Sequence, residues 1–227
     1  MSRWVLFDAV GTVIYPEPSV ANIYLEVGRR HGWSAAEDDL PQRFSAAMSE
    51  QFVAGSASDE NSDYQSWRRV VQQVMLELPD ESSSAAFMEL WDHFARPSSW
   101  RVYLDVGPCW QRLAEQGYQL AIASNFDRRL VGIAAGHAEF SQVQRVFVSS
   151  QLGWSKPDPR FYRTILDELR GTGEHVDEFW MVGDDYRRDV QAAVESGIDA
   201  VWLRRDIPPS ENSIASLEQL DLASNGQ

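Results

Sequence analysis

Apolar residues fall into two kinds of pattern along this chain, and the change from one to the other divides it. Arg3 to Phe7 is a short run of β-formers that ends at Asp8 and the turn-forming Gly11-Thr12, as a buried strand does when it empties into a loop. From Pro16 to about Pro97 the spacing is helical. Val20–Arg30, Leu40–Val53, Tyr64–Leu78 and Ser84–Ala95 read as helices, broken at His31-Gly32, Gly55-Ser56-Ala57-Ser58 and Pro79-Asp80, with no strand pattern among them. After Tyr103 the two periods alternate. Helix Gln111–Glu115 precedes strand Gln119–Ala123, helix Asp127–Ala135 precedes strand Arg145–Val148, and helix Pro159–Leu169 precedes strand Phe179–Val182. A last helix, Arg187–Ser196, stops at Gly197 before strand Ala200–Leu203, and the tail from Pro208 to Ser224-Asn225-Gly226-Gln227 is expected to fray.

Strands alternating with helices imply βαβ crossovers and a mostly parallel sheet. The expected architecture is α/β: a doubly wound, mostly parallel sheet from residues 1–15 and 98–227, with a separate helical domain, residues 16–97, inserted after the first strand. Pro16 to Pro18 would lead out to the insert, and Pro97-Ser98-Ser99 would lead back.

Composition narrows the function. With 227 residues, 44% of them hydrophobic and nine of them Trp, the chain has ample apolar area to offset the entropy lost on folding. Its net charge of −14 argues against a nucleic-acid partner, which needs many phosphates neutralised by Lys and Arg. The same field repels a small anion, so any phosphate site has to be made locally, by a metal or a placed cation. The single cysteine, Cys109, forms no internal disulfide and has no Cys/His zinc pattern around it; it is expected to be a small buried hydrophobe. The first apolar run is too short for a signal segment or a membrane span, so the expected location is cytoplasmic, away from membranes.

The chemistry lies where the strands end. Asp8, Ser124 with Asn125, and Asp184 with Asp185 each follow an apolar run, and a parallel sheet gathers such positions along its carboxyl edge, where ligands bind in open α/β sheets. The loop Ser155-Lys156-Pro157-Asp158-Pro159 adds an ammonium. Carboxylates from two strands can share a magnesium ion, which offsets the negative field. With metal and Lys156 spreading the charge, Asp8 can attack phosphorus and form an aspartyl-phosphate. Each residue alone has a plainer reading: Asp8 as a turn former, Ser124 to Asp127 as a helix cap, Lys156 as a solvated loop lysine, and Asp184, Asp185 and Asp189 as acids near a helix start. Their order and placement together favour a site.

These clusters resemble the four motifs of the haloacid dehalogenase-like (HAD) superfamily, in that family's order and over nearly the whole chain. Phe7-Asp8-Ala9-Val10-Gly11-Thr12 is similar to the first motif, Ala123-Ser124-Asn125 to the second, Lys156-Pro157-Asp158-Pro159 to the third, and Gly183-Asp184-Asp185 with Asp189 to the fourth. The resemblance implies a hydrolase with Asp8 as nucleophile, Ser124 and Lys156 holding the phosphoryl group, and Thr12 and Asn125 touching substrate. It implies Mg2+ held by Asp8, the Val10 backbone carbonyl and Asp184, with Asp185 and Asp189 ligating or supporting. It also implies a small phosphorylated metabolite as substrate, and a helical cap matching Pro16 to Pro97.

The departure is Val10, where phosphatases of the family carry a second aspartate that protonates the leaving oxygen and later activates water. Such acid/base help is worth about 10²- to 10⁴-fold. Three functions follow: a phosphatase weakened or specialised toward good leaving groups; a 2-haloacid dehalogenase type of hydrolase, since those members also lack the second aspartate; or a binding or regulatory protein with turnover lost. Tyr15, Glu17 and His31 are candidates to replace the missing acid. Trp67, Trp91 and Trp100 are expected to serve packing, and His93, His137 and His175 to be surface or packing residues.

Overall fold

Trp4 to Phe7 form an unbroken apolar run because both faces of their strand, β1 (Ser2–Phe7), are covered. The computed structural model describes residues 2–34, 37–53, 55–171, 176–205, 207–208 and 213–222. After β1 come β2 (Ile14–Pro16), helices α1 (Val20–Arg30), α2 (Leu40–Gln51), α3 (Glu60–Val74) and α4 (Asp80–His93), and β3 (Trp100–Val102). The remainder alternates through α5 (Val106–Glu115), β4 (Tyr118–Ser124), α6 (Arg129–Ala135), β5 (Val143–Val148), α7 (Ser149–Leu152), α8 (Pro159–Gly171) and β6 (Val176–Gly183). A π-helical turn, Tyr186–Gln191, then runs into α9 (Ala192–Glu195), followed by β7 (Asp199–Leu203) and the two-residue β8 (Ser213–Ile214).

Six strands form one sheet in the order β5-β4-β1-β6-β7-β8, with every neighbouring pair parallel. Side chains alternate across it. Val5 and Phe7 join Trp110 and Leu113 of α5 and Ile133 of α6 on one face, while Trp4 and Leu6 join Phe161, Tyr162 and Ile165 of α8 and Ala193 of α9 on the other. This is the doubly wound α/β sheet that the alternating text predicts. Phe7 pairs with both Ile122 and Val182, so β1, β4 and β6 finish level and deliver Asp8, Ser124 and Asp184 to one edge. Helices α1 to α4 share a third cluster of their own, centred on Ile23, Leu40, Val70, Val74 and Phe87. Among the described residues, no helix is long and apolar enough to cross a membrane.

The differences from the sequence expectations have local causes. Helix α3 starts at Glu60 rather than Tyr64 because Asp59 caps it: Asp59 Oδ1 accepts from the Asn61 and Ser62 amides, and Ser62 Oγ accepts from the Asp59 amide. Its apolar stripe begins only a turn later. Helix α5 starts five residues before Gln111, with Pro108 in its first turn, where the missing N–H costs nothing. The antiparallel ribbon of β2 and β3, which pairs Pro16 with Trp100 and Ile14 with Val102, is absent from the expectation because three residues are too few to display a period of two. The tail does not fray over 213–222: Leu217, Leu220 and Leu222 are buried, and Arg112 Nη2 donates to the carbonyls of Leu217 and Leu220 at 3.1 and 3.0 Å. Ser224 to Gln227 and His175 lie outside the described residues.

The start of α3 meets the sheet layer through acids. Glu60 accepts from Ser150 Oγ at 2.5 Å and from the Arg128 amide at 3.0 Å. Ser58 Oγ lies 2.9 Å from Asp63 Oδ2 and 3.2 Å from Ser149 Oγ. Burial pushes the Asp63 carboxyl up to about 6, opposed by its hydrogen bond from Ser58 and reinforced by the charge of Asp127. An acid raised in the folded state keeps its proton where the unfolded chain has lost it, so stability falls as pH rises from about 4 to about 6 and is flat above. Asp63→Asn keeps an acceptor for Ser58 and removes the charge. Discounted for partial exposure, it should raise Tm at pH 7.5 by about 2–4 °C, with the gain gone below pH ~4. Calorimetry across pH tests this, and a gain of equal size at every pH would rule out ionisation as the cause.

Candidate active site

A strand that ends in Asp8 needs its loop to turn back at once, and the backbone supplies the turn. The Asp8 amide donates to the Val182 carbonyl at 2.9 Å, extending the sheet by one bond, and the amides of Val13 and Ile14 both donate to the Ala9 carbonyl at 2.9 Å. Gly11 sits at φ +90°, and a Cβ there would collide with the Asp184 carboxylate, so glycine is required on two counts. Thr12 is fully buried, and its Oγ1 donates to Asp184 Oδ1 at 3.0 Å. Arg205 fastens the loop from outside: Nε donates to the Gly11 carbonyl at 3.3 Å and Nη2 to the Thr12 carbonyl at 2.5 Å, while Asp105 receives the other side of the guanidinium at 2.7 Å. Sequence reading does not single out Arg205, which lies beyond β7 and far from any motif.

Lys156 occupies the centre. It is 1% exposed, and its Nζ donates to Asp8 Oδ1 at 2.7 Å, Asp189 Oδ1 at 2.6 Å and the Ala123 carbonyl at 2.9 Å. A reciprocal pair holds its backbone: Asn125 Nδ2 donates to the Lys156 carbonyl at 2.8 Å, and the Lys156 amide donates to Asn125 Oδ1 at 2.7 Å. Burial opposes a charged amine, but the carboxylates of Asp189 and Asp8 outweigh it and hold Lys156 above its ordinary value. Ser124 Oγ donates to Asp8 Oδ1 at 3.0 Å, so both contacts fall on the same carboxylate oxygen.

Three carboxylates, from Asp8, Asp184 and Asp189, bring one oxygen each within 4.8 Å of one another. Burial pushes the Asp189 carboxyl upward against the pull of Lys156, and Asp184 is raised by the loss of surrounding water and then by the charge of Asp8. One ammonium does not neutralise three acids. An oxygen-only donor set with residual negative charge fits a hard divalent cation such as Mg2+. Asp189 is buried because Gly183 leaves room for it: a Cβ at Gly183 would overlap its carboxylate. Its Oδ2 accepts from the Asp185 amide at 3.0 Å. Asp185 itself stands outside this group, with Oδ1 accepting from the amides of Arg187 and Arg188 as an N-cap at 3.0 and 2.9 Å. Sequence spacing alone does not separate the two roles.

Above the carboxylates opens a cavity of about 380 Å³ that reaches from Asp8, Asn125 and Lys156 to α1 to α4. Val10, 38% exposed, lines it beside Asp8. None of Tyr15, Glu17 and His31 lines it: Tyr15 packs on Tyr103, Glu17 is exposed, and His31 Nε2 pairs with Glu89 at 2.8 Å. Trp67, Trp91 and Trp100, read as packing residues, all form part of its wall. Arg129, also absent from the sequence reading, lies 3.4 Å over the Trp91 ring and is held by Asp127 through Nε and Nη2 at 2.8 and 2.7 Å. Cys109 is buried as expected, its thiol pushed up to about 12 by burial. His93 and His137 do not line the cavity; His93 packs edge-on against Phe94, which does, and His137 lies by Phe140.

The parallel sheet, the level strand ends and this acidic cluster define a doubly wound α/β protein of the class whose four motifs the sequence resembles. The haloacid dehalogenase-like hydrolase family model matches residues 3–197, and the chain belongs to that family. It is 28% identical over 236 residues to the haloacid dehalogenase-like hydrolase domain-containing protein 3 of Bos taurus, covering 96% of this chain and 92% of that one. Over 83 residues, 37% of this chain and 30% of the other, it is 37% identical to a phosphoserine phosphatase of Thermus thermophilus. Its fold is similar to that of an HAD phosphatase from Thermococcus onnurineus, with a TM-score of 0.66, 23% identity and 99% of each chain covered.

Replacing Lys156 by Met should leave three acids without their ammonium and destabilise the protein by about 3–5 kcal/mol, the cost of breaking a buried pair from one side. Urea denaturation measures it. A loss below about 1 kcal/mol would put the pair on a level with an exposed surface bridge.

Proposed function

We propose that this chain is a magnesium-dependent phosphatase that acts on a small phosphorylated molecule through an aspartyl-phosphate on Asp8. One observation carries the reading: Lys156 and Ser124 hold the same oxygen, Oδ1, of a buried aspartate, 2.7 and 3.0 Å away, beside two further carboxylates at the foot of a cavity. That arrangement leaves Oδ2 as the nucleophile. Similarity to a phosphoserine phosphatase over 83 residues supports the same chemistry. In this reading residues 1–15 and 98–227 form the catalytic core, and residues 16–97 form a cap over it.

Asp8, the Val10 carbonyl and Asp184 would hold the magnesium ion, with Asp189 supporting and Asp185 shaping the turn between them. The bound ion supplies charge neutralisation for the phosphoryl oxygens, which Asp8, Asp184 and Asp189 alone would repel. Lys156 would act on those oxygens through its charge while its N–H groups hold Asp8, Asp189 and the Ala123 carbonyl. Ser124 would turn its hydroxyl from Asp8 to the phosphoryl oxygens, and Asn125 and Thr12 keep Lys156 and Asp184 in place. Oδ2 of Asp8 forms a bond to phosphorus as the bond to the leaving oxygen breaks, and the electron pair departs on that oxygen. Water then attacks phosphorus as the bond from phosphorus to Asp8 Oδ2 breaks; the Asp8 carboxylate is regenerated and inorganic phosphate leaves, the water's proton passing to phosphate or solvent. Val10 supplies no proton to the leaving oxygen, so an alkyl phosphate should turn over about 10²- to 10⁴-fold more slowly than with an acid there.

Phosphate release from an acyl phosphate and an alkyl phosphomonoester, with Mg2+ and with chelator, tests the reading. Expected is Mg2+-dependent release that favours the acyl phosphate and is abolished in Asp8→Asn; no release above that variant from either compound would overturn it. Val10→Asp should raise alkyl phosphate turnover by about 10²-fold or more. Val10 is also the observation that favours a second reading, hydrolysis of a carbon–halogen bond, in which halide leaves without a proton. Three acids gathered around one ammonium count against it, because with no metal their repulsion brings nothing. Halide release from a 2-haloacid in the presence of chelator would establish it instead.

A further inference from the structure

We infer that the substrate is a phosphomonoester whose organic body is uncharged and apolar, of one or two aromatic rings in size, rather than a sugar phosphate or a phosphorylated amino or hydroxy acid. The inference deepens the phosphatase reading and rests on it for the chemistry of the phosphate.

The wall above the carboxylates is mostly apolar. Each of the four helices turns a pair of apolar residues four apart toward the cavity, among them Val20 with Tyr24, Trp67 with Val71, and Phe87 with Trp91. The sheet side adds Val10, Trp100 and Phe126. Neighbouring rings in this wall meet at angles: Trp100 on Phe126 at 5.9 Å and Phe87 on Trp91 at 5.7 Å. Edge-to-face and tilted rings of this kind present a surface that another ring can join.

Charge on the wall is already committed. The cavity-lining cations are Lys156, Arg129 and Arg188, and each pairs with a carboxylate: Lys156 with Asp8 and Asp189, Arg129 with Asp127, and Arg188 with Asp185 at 3.5 Å. Arg129 is further fixed by its place over Trp91 and its bond to the Trp91 carbonyl at 3.3 Å. A second anionic group on the substrate would therefore find no cation among the described lining residues that lacks a carboxylate, within a chain of net charge −14. A polyhydroxylated body would lose its water against aromatic carbon with few acceptors or donors in return. The volume of about 380 Å³ lies near the lower end of cavities that enclose small ligands, roughly 300–1,000 Å³, which sets the size of the body.

Val10 fits the same substrate. It places an apolar surface beside Asp8 in the wall of the same cavity, so a leaving oxygen on that side of Asp8 would meet no acid. A phenol-type oxygen departs with the electron pair of the P–O bond and takes its proton from water afterwards, so an aryl phosphate needs least from the position Val10 occupies.

The test separates the body from the leaving oxygen. Benzyl phosphate and glycerol phosphate both leave as alkoxides, but one body is apolar and the other is polar; phosphoserine adds charge. With the full chain and Mg2+, KM for benzyl phosphate should be roughly tenfold or more below that for either of the others, the scale on which burial of a ring discriminates. Trp67→Ala should narrow that gap to less than about threefold, and a wild-type gap that Trp67→Ala leaves whole would remove the wall from the account. Equal KM values, with phosphate released from all three and lost in Asp8→Asn, would overturn the substrate class while leaving the phosphatase intact. If no compound is turned over, calorimetry of benzylphosphonate against methylphosphonate on the Mg2+-loaded protein still decides. Tighter binding of benzylphosphonate upholds the apolar site, and equal or absent binding overturns it.

Discussion

The ammonium of Lys156 is the group around which everything else in the site is arranged. It is buried and donates to Asp8, Asp189 and the carbonyl of Ala123, which lie on three different segments of the chain. An amine removed from water loses more in hydration than one carboxylate returns, so it needs several partners at hydrogen-bond distance. That requirement fixes the strand end at Ala123 and Ser124, the loop after β1 and the π-turn after β6 relative to one another. The level register of β1, β4 and β6 makes the meeting possible, and Lys156 makes it specific.

Two of the constraints around it are steric. Gly11 and Gly183 each stand where a Cβ would strike a carboxylate, Asp184 in one case and Asp189 in the other. The chain has given up side chains at both strand ends so that acids can sit against the backbone. The resulting crowd of negative charge is held from beneath by Lys156, and the loop beside it is held by Arg205, whose guanidinium grips the Gly11 and Thr12 carbonyls while Asp105 fixes its far side. The residue that shapes the loop thus comes from the opposite end of the chain, 193 positions after Thr12.

Much of this is legible in the sequence because it follows from short-range rules. Strands such as Gln119–Ala123 and Ala200–Leu203 lie within the observed β4 and β7, and the polar residues that end the strands meet at one edge, as a parallel sheet requires. What escapes the sequence has one of two causes. Elements of two or three residues, such as β2, β3 and β8, carry too little pattern to register. Long-range partners such as Arg205 and Asp105 have no local signature at all. The cavity wall is a third and more instructive case. Tyr24, Trp67 and Trp91 sit at helical spacing that a buried core stripe would also produce, and periodicity reports which face is apolar, not whether protein or ligand covers it.

That ambiguity bears on how Val10 is to be understood. Taken against the first motif alone, the proposed phosphatase reading makes valine a deletion: it offers no acid, and turnover would suffer. Taken against the cavity, it continues an apolar surface that runs from Val10 through Trp100 and Phe126 to the helices. A carboxylate at that position would face the aromatic wall above it as well as Asp8 and Asp184 below, adding a fourth acid to a group that one buried ammonium already leaves under-neutralised. Under that charge balance, an apolar residue lowers the electrostatic cost of the site and extends the wall, and the proton it withholds matters least for a leaving group that can depart as an anion. If Asp8 is the nucleophile, as proposed, the loss in the motif and the composition of the wall become two sides of a single adjustment, in which acid catalysis is exchanged for apolar recognition beside it.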